Sequence, residues 1–250
     1  MRLLIAIPVF NERKYVAGVL DKVRRFHDQI LVIDDGSTDG TAEILARRGD
    51  IHLIRHPQNR GYGQSVIDAF NFAFDRGYDW VITMDCDEQH EPERIPDFVA
   101  AIRTGRWDII SGSRYLHTDK HDDLPPGDRR LINQTITSII NKLFDWKLTD
   151  AFCGFKAHRV SAMKRLELDQ PGYAFPLQLW PRAATANLRI TEIPVRLIYN
   201  DPTRHFGGQL DNPASRLQHY LDVLNAELKR DGEAADCAAE AAEFSCCGCE

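Results

Sequence analysis

The chain is predicted to be an α/β protein: one domain built on a mixed, mainly parallel sheet with helices on both faces. Two observations predict it. Short apolar runs of strand length alternate with segments whose apolar residues recur at helical spacing, the pattern of successive βαβ units. Acidic clusters follow those runs directly, where an open parallel sheet exposes its carboxyl ends. A length of 250 residues is enough for one sizeable core.

The elements follow in order. Residues 3–10 read as a buried strand, and Asn11 is placed to cap a helix carrying Val16, Val19, Leu20 and Val23. Residues 30–33 form a second strand, which ends in Asp34-Asp35-Gly36-Ser37, a turn composition. Thr38 or Asp39 can cap the next helix, through Ala42, Ile44 and Leu45. A third strand spans 51–54, a helix 61–74, a fourth strand 80–84, a helix 95–102 and a fifth strand 109–111. The second half is less regular. Residues 117–128 contain Pro125-Pro126-Gly127 and read as a loop, followed by helices over 131–144 and 174–186. Residues 190–199 read as a strand that Pro194 confines to a sheet edge or a bulge, and 217–228 as an amphipathic helix. Residues 1–230 are thus expected to form the domain, and the Ala/Glu/Cys-rich residues 231–250 a disordered tail.

Composition narrows the function. Hydrophobic residues make up 43% and charged residues 27%, ordinary for a globular protein. The net charge of −6 supplies no global attraction to nucleic acid. The N-terminal apolar run meets Asn11-Glu12 too soon for a signal peptide, and no run has the roughly 20 residues needed to span a bilayer. The expectation is a cytoplasmic protein that reaches any lipid substrate peripherally. Cys86 and Cys153 fall inside the domain; Cys246-Cys247-Gly248-Cys249 could hold a soft metal or a lipid, or be a plain end with free thiols.

Asp85-Cys86-Asp87-Glu88-Gln89 carries the strongest chemical signal. Two carboxylates one residue apart at a strand end repel unless a cation lies between them. Hard oxygen donors suit Mg²⁺ or Mn²⁺, with Gln89 as an additional neutral oxygen. Alone, the motif reads equally as a solvated acidic loop, and Asp34-Asp35 as an ordinary turn. A phospho-receiver domain would also place acidic residues after strands. The chain is twice the size such a domain needs, its acidic pair follows the second strand, and no obvious lysine follows the fifth.

The order of the motifs adds a family resemblance. Ile7-Pro8-Val9-Phe10-Asn11-Glu12, then 32–41 with Asp34-Asp35-Gly36-Ser37, Asn59-Arg60-Gly61-Tyr62-Gly63, 85–90 with Pro92-Glu93, Gly112-Ser113-Arg114-Tyr115, and 129–141 with 150–156 occur in sequence. Together, over roughly residues 1–200, they resemble glycosyltransferase family 2, and within it the polyprenyl-phosphate (dolichyl-phosphate) mannosyl- and glucosyltransferases. The resemblance implies a GT-A type, Rossmann-like nucleotide-binding sheet and inverting transfer of a hexose from GDP-mannose or UDP-glucose to a polyprenyl phosphate. It implies that Pro8, Phe10 and Glu12 contact the nucleotide, and that Asp34 or Asp35 holds base or ribose. Asp85, Cys86, Asp87 and Gln89 would hold the donor diphosphate and its Mg²⁺ or Mn²⁺, Arg114 would face phosphates, and Arg129, with Arg130, would bind the acceptor phosphate.

The chain also departs from the family pattern. Asn133 stands where a serine is common, Cys153-Gly154-Phe155 replaces Ser-Gly-Phe, and the late Arg…Ser-Lys element is replaced by residues 200–208, in which Arg204 or His205 is the candidate cation. If the acceptor were a sugar hydroxyl instead, a general base would be required, and Asp150 is the candidate. The remaining alternatives are a sugar nucleotidyltransferase, which lacks the expected Gly-rich loop, and a nucleotide-binding protein without catalysis. Oligomeric state is not encoded in any of these signals.

Overall fold

The structure is a computed structural model and describes residues 1–117, 123, 125–199 and 207–230. In chain order the elements are β1 (Leu3–Val9), α1 (Val16–Arg24), β2 (Ile30–Asp34), α2 (Thr41–Ala46), β3 (His52–Arg55), α3 (Tyr62–Asp75), β4 (Trp80–Thr83) and α4 (Ile95–Arg103). Then come β5 (Ile109–Ser113), α5 (Gly127–Phe144), β6 (Lys156–Arg159), α6 (Val160–Met163), α7 (Phe175–Thr185), β7 (Ile190–Pro194) and α8 (Pro213–Arg230). The seven strands lie in the order β3-β2-β1-β4-β6-β5-β7. All run parallel except β6, which is antiparallel to both β4 and β5. The expected mixed, mainly parallel sheet is present.

Side chains alternate across that sheet with period two. Leu4, Ala6, Leu31, Ile33 and Val81 face a core closed by α3, α5, α7 and α8. Ile5, Ile7, Ile30, Val32 and Ile82 face a second core closed by α1 and α4. Burial on both faces explains why the central strands are continuously apolar. Pro194 ends β7, which is an edge strand, because a residue without N–H cannot extend the ladder inward.

Two expectations are corrected. Asn11 does not cap α1: it has φ 56°, and α1 starts at Val16 behind Tyr15, which makes no side-chain cap. Instead, Asn11 Oδ1 accepts the Thr38 N–H at 2.8 Å and its own N–H donates to Ser37 Oγ at 2.9 Å, tying the end of β1 to the turn after β2. Strand β6 was not anticipated, since Lys-Ala-His-Arg has no apolar pattern; the sheet buries it between β4 and β5. The helix expected over 174–186 is present as α7, with Pro181 in its interior. Arg204, His205 and the tail from 231 lie outside the described residues, as does part of the loop 117–128.

Candidate active site

A cavity of about 530 Å³ opens at the carboxyl ends of β1, β4 and β5. Pro8, Phe10 and Glu12 enter from the end of β1 and Asp35 from the turn after β2. Asp85, Cys86, Asp87 and Gln89 enter from the loop after β4, Arg114 follows β5, and Arg129 comes from the first turn of α5. Two other expected site residues, Asp34 and Asp150, are fully buried and do not line it.

The acidic loop is held by its own neighbours. The Asp85 N–H donates to His90 Nδ1 at 2.9 Å, which leaves the ring proton on Nε2, 3.7 Å from Asp85 Oδ2. Burial lowers the His90 pKa to about 4, so the imidazole is neutral at pH 7. Asp87 Oδ1 accepts the Gln89 N–H at 3.0 Å. Between the two aspartates' partners, Glu88 takes φ 60° and is anchored by Lys22 at 2.6 Å.

Gly154 completes this cradle. A Cβ built there would lie 2.7 and 2.8 Å from the two Asp85 carboxylate oxygens and 3.0 Å from the Tyr62 hydroxyl. The Asp85 carboxylate therefore rests against backbone that only glycine leaves open. Gly154→Ala is expected to push Asp85 out of place and reduce turnover at least about tenfold while thermal stability changes little; activity measured against metal concentration checks it.

Asp85 and Asp87 on one wall, with Gln89 beside them, fit a hard divalent ion that keeps substrate phosphates and water as its other ligands. No group of three or more His, Cys, Asp or Glu side chains placed to hold a metal occurs among the described residues. Two carboxylates and an amide oxygen are the kind of hard donors that suit Mg²⁺ or Mn²⁺ together with a substrate's phosphates.

The structure separates the Asp34-Asp35 pair. Asp34 Oδ1 accepts the Ser37 N–H at 2.9 Å and its other oxygen lies 3.4 Å from Arg55 Nε, so it shapes the turn from behind. Asp35 is at the cavity wall and accepts from the N–H groups of Arg60 and Gly61 at 2.8 and 2.9 Å and from His56 Nδ1 at 2.6 Å.

Asp150, the candidate base, is enclosed behind the cavity wall. Its carboxylate receives Arg114 Nε at 2.6 Å and Nη2 at 2.9 Å, the Asn133 amide at 2.8 Å, and the N–H groups of Phe152 and Cys153 at 3.1 and 3.2 Å. Burial would raise its pKa, but the Arg114 charge and these hydrogen bonds outweigh it and hold the carboxyl well below the usual range. A carboxylate so stabilised is a weak base, and both its oxygens hold the Arg114 guanidinium. Asn133 belongs to this network and also accepts from Thr137 Oγ1 at 2.9 Å. Glu192 of β7 supports the same loop by accepting from Thr149 and the Asp150 N–H. Cys153 is buried, and burial raises its pKa to about 11, so it stays a thiol.

The lining also includes side chains to which sequence alone assigned no role, four of them polar residues of β6 and α8. Lys156 and His158 come from β6, and Arg216 and Tyr220 from α8. Lys156 is buried, which lowers its pKa, and its Nζ donates to the Cys153 carbonyl. Arg216 is 3% exposed, with Nη2 2.5 Å from Asp128 Oδ2 and Nη1 2.8 Å from the Leu210 carbonyl. The amphipathic pattern of α8 was legible from Leu217, one residue past Arg216. Arg129 lies over the Tyr199 ring at 5.4 Å and Arg130 over Tyr115 at 3.5 Å.

Comparison with known proteins places this geometry. The chain is 30% identical over 207 residues to an undecaprenyl-phosphate mannosyltransferase of Micrococcus luteus, covering 79% of this chain and 84% of the relative. It is 29% identical to a polyprenol monophosphomannose synthase of Mycolicibacterium smegmatis, covering 78% and 76%. Among solved structures, glucosyl-3-phosphoglycerate synthase from Mycobacterium tuberculosis, in complex with Mn²⁺, UDP and phosphoglyceric acid, superposes with a TM-score of 0.67 at 17% identity, over 90% of this chain and 78% of that one. That likeness bears on the fold, which is of the GT-A type. The family model described as glycosyl transferase family 2 matches residues 4–167, which include β1 to β6 and the acidic loop, and the chain belongs to that family.

Proposed function

We propose that the protein transfers a hexose from a nucleotide-sugar, GDP-mannose or UDP-glucose, to a polyprenyl phosphate with inversion at the anomeric carbon. One observation carries the reading: the cavity is divided by charge. Its carboxylates, Glu12, Asp35, Asp85 and Asp87, come from the ends of β1, β2 and β4. Its cations, Arg114, Lys156, Arg129 and Arg216, come from β5, β6, α5 and α8. The carboxylates that pair with Arg114 and Arg216, Asp150 and Asp128, are not among the lining residues. The positive charge of this half suits a second anion, distinct from the donor diphosphate. Arg129 adds the favourable field of the α5 N-terminus.

The chemistry follows from the two halves. Asp85, Asp87 and Gln89 would hold a divalent ion, which when bound would supply charge stabilisation to the departing diphosphate. Arg114, held in place by Asp150, lines the same cavity and faces the developing charge. Arg129 and Arg216 hold the acceptor phosphate so that an oxygen already ionised at pH 7 attacks the anomeric carbon opposite the leaving group. The new C–O bond forms as the bond to the diphosphate breaks, which inverts the centre. No base is required, consistent with the enclosure of Asp150. A hydroxyl acceptor would need one.

The relatives named for undecaprenyl-phosphate and polyprenol acceptors support this acceptor, and the Mn²⁺ in the M. tuberculosis structure supports a divalent ion. A polyprenyl-phosphate acceptor would be met at a membrane surface, and no helix among the described residues is long and apolar enough to cross a membrane.

The test is release of nucleoside diphosphate from donor and metal. Release stimulated by polyprenyl phosphate supports the proposal; stimulation by phosphoglyceric acid or a free sugar, with none by the lipid phosphate, contradicts it. Arg216→Gln is expected to raise KM for polyprenyl phosphate roughly tenfold, the worth of one charge-assisted hydrogen bond, and to leave KM for the donor unchanged.

A further inference from the structure

We infer that Lys156 and His158 form a recognition subsite for one hydroxyl of the transferred hexose, remote from its anomeric carbon; this rests on the glycosyl-transfer reading above. The two side chains have complementary polar atoms left over. Lys156 is 4% exposed and lines the cavity. An ammonium group carries three donors. Among the described residues Lys156 Nζ meets one acceptor, the Cys153 carbonyl, and otherwise the Trp180 ring, 5.4 Å from its centroid. His158 is 1% exposed and lines the same cavity, and its Nδ1 has no hydrogen-bond partner among the described residues.

Proton counting fixes what each atom offers. The Thr83 hydroxyl has one proton, and its nearest acceptor is the Gly154 carbonyl at 2.8 Å. His158 Nε2, 3.5 Å from the same hydroxyl oxygen, therefore carries the ring proton, and Nδ1 is left as a bare acceptor. Burial, with the Lys156 charge, lowers the His158 pKa to about 3, so the ring is neutral at pH 7 and keeps that lone pair. The Phe70 ring packs edge-on against the imidazole, centroids 4.9 Å apart, and holds it in place. A buried acceptor without a donor is costly to leave unmade. One kind of group satisfies both ends: a hydroxyl accepts from Lys156 Nζ and donates to His158 Nδ1. A carboxylate could meet the ammonium but would set its own lone pairs against Nδ1.

Sheet register puts the pair beside and below the acidic loop. Thr83 pairs with Lys156 and Val81 with His158. Side chains two residues apart share a face, so Asp85, Thr83 and Val81 form one row and Lys156 and His158 the row next to it. Lys156 stands about 7 Å along the sheet from the level of Asp85, roughly the span of a pyranose ring with its hydroxyls. Its ammonium reaches back toward that level, to the Cys153 carbonyl. The anomeric carbon follows the diphosphate, and a ring extending from it along these rows brings its 4- or 6-hydroxyl to the pair. Val66 of α3 and Leu179 of α7 line the same cavity with apolar surface. Arg129 and Arg216, from α5 and α8, remain for the acceptor phosphate.

Calorimetric titration of the full chain with Mn²⁺ and GDP-mannose, UDP-glucose, or the 4-deoxy and 6-deoxy forms of each tests this. For the parent donor that binds, one of its deoxy forms is expected to bind about tenfold more weakly, the worth of one buried hydroxyl. His158→Phe keeps a ring against Phe70 and removes the acceptor. It should weaken the parent donor about tenfold, leave the nucleoside diphosphate at its native affinity, and cause no further loss with that deoxy donor. The comparison of donors on the native protein stands as a test by itself if the variant does not fold. Deoxy donors that both bind as tightly as their parent overturn the subsite, as does a variant that weakens parent and deoxy donors by the same factor; the floor then holds water only, and the transfer reading is untouched. Binding of neither parent donor overturns the glycosyl-transfer reading, and the subsite with it.

Discussion

Asp87→Ala is expected to lower turnover about a thousandfold, the rate equivalent of the several kcal/mol that a metal supplies to a departing diphosphate. Asp87 is 6% exposed, lines the cavity and faces the same space as Asp85. With two carboxylates in the donor set, loss of one removes half of its charge. The local cost is small by comparison, one hydrogen bond from the Gln89 N–H. The expected signature is therefore a large fall in turnover with thermal stability nearly unchanged. A raised metal requirement should accompany it. Turnover equal to that of the native protein would remove the metal assignment.

Asp150→Asn has the second-largest expected effect, and it falls on stability first. The substitution keeps the shape and removes the charge that pairs with buried Arg114, whose pKa is raised by Asp150 against the lowering effect of burial. Breaking a buried pair on one side costs about 3–5 kcal/mol. For a domain of this size the melting temperature should drop by roughly 10 °C. Turnover should also fall, because Arg114 loses its aim, but the surviving activity should keep its pH profile. A general base would behave differently: its removal would abolish the acid limb of the profile. Loss of that limb without loss of stability would reinstate Asp150 as a base.

The legibility of this protein follows from what is local. The turn at Asp34-Asp35, the Asp85–Gln89 loop and Arg114 could be read as one site because each directly follows an apolar strand, and parallel strands bring their carboxyl ends together. The roles within those motifs were not legible. Asp34 and Asp35 are adjacent and chemically identical; only the pairing of Val9 with Asp34 in the sheet turns one inward and leaves the other at the cavity. Asp150 had the residue type of a base, and its role is set by Arg114, 36 positions earlier in the chain. Strand β6 has no apolar signature because Lys156 and His158 take two of its four positions, and its burial is imposed by β4 and β5. Arg216 reaches the acceptor half only because α8 packs on α5 and α7, which no periodicity in α8 itself encodes. Gly154 was legible as part of a motif, whereas the reason for a glycine there is a contact with a carboxylate 69 positions away.

The most direct measurement is the fate of a labelled hexose. The protein is incubated with labelled nucleotide-sugar, polyprenyl phosphate and Mn²⁺, and the mixture is partitioned between water and organic solvent. Label should pass into the lipid phase as an inverted hexosyl phosphodiester, cease to do so when the metal is chelated, and resume when the metal is restored. Label that stays in a water-soluble product, or transfer to lipid that is undiminished by chelation, would contradict the account.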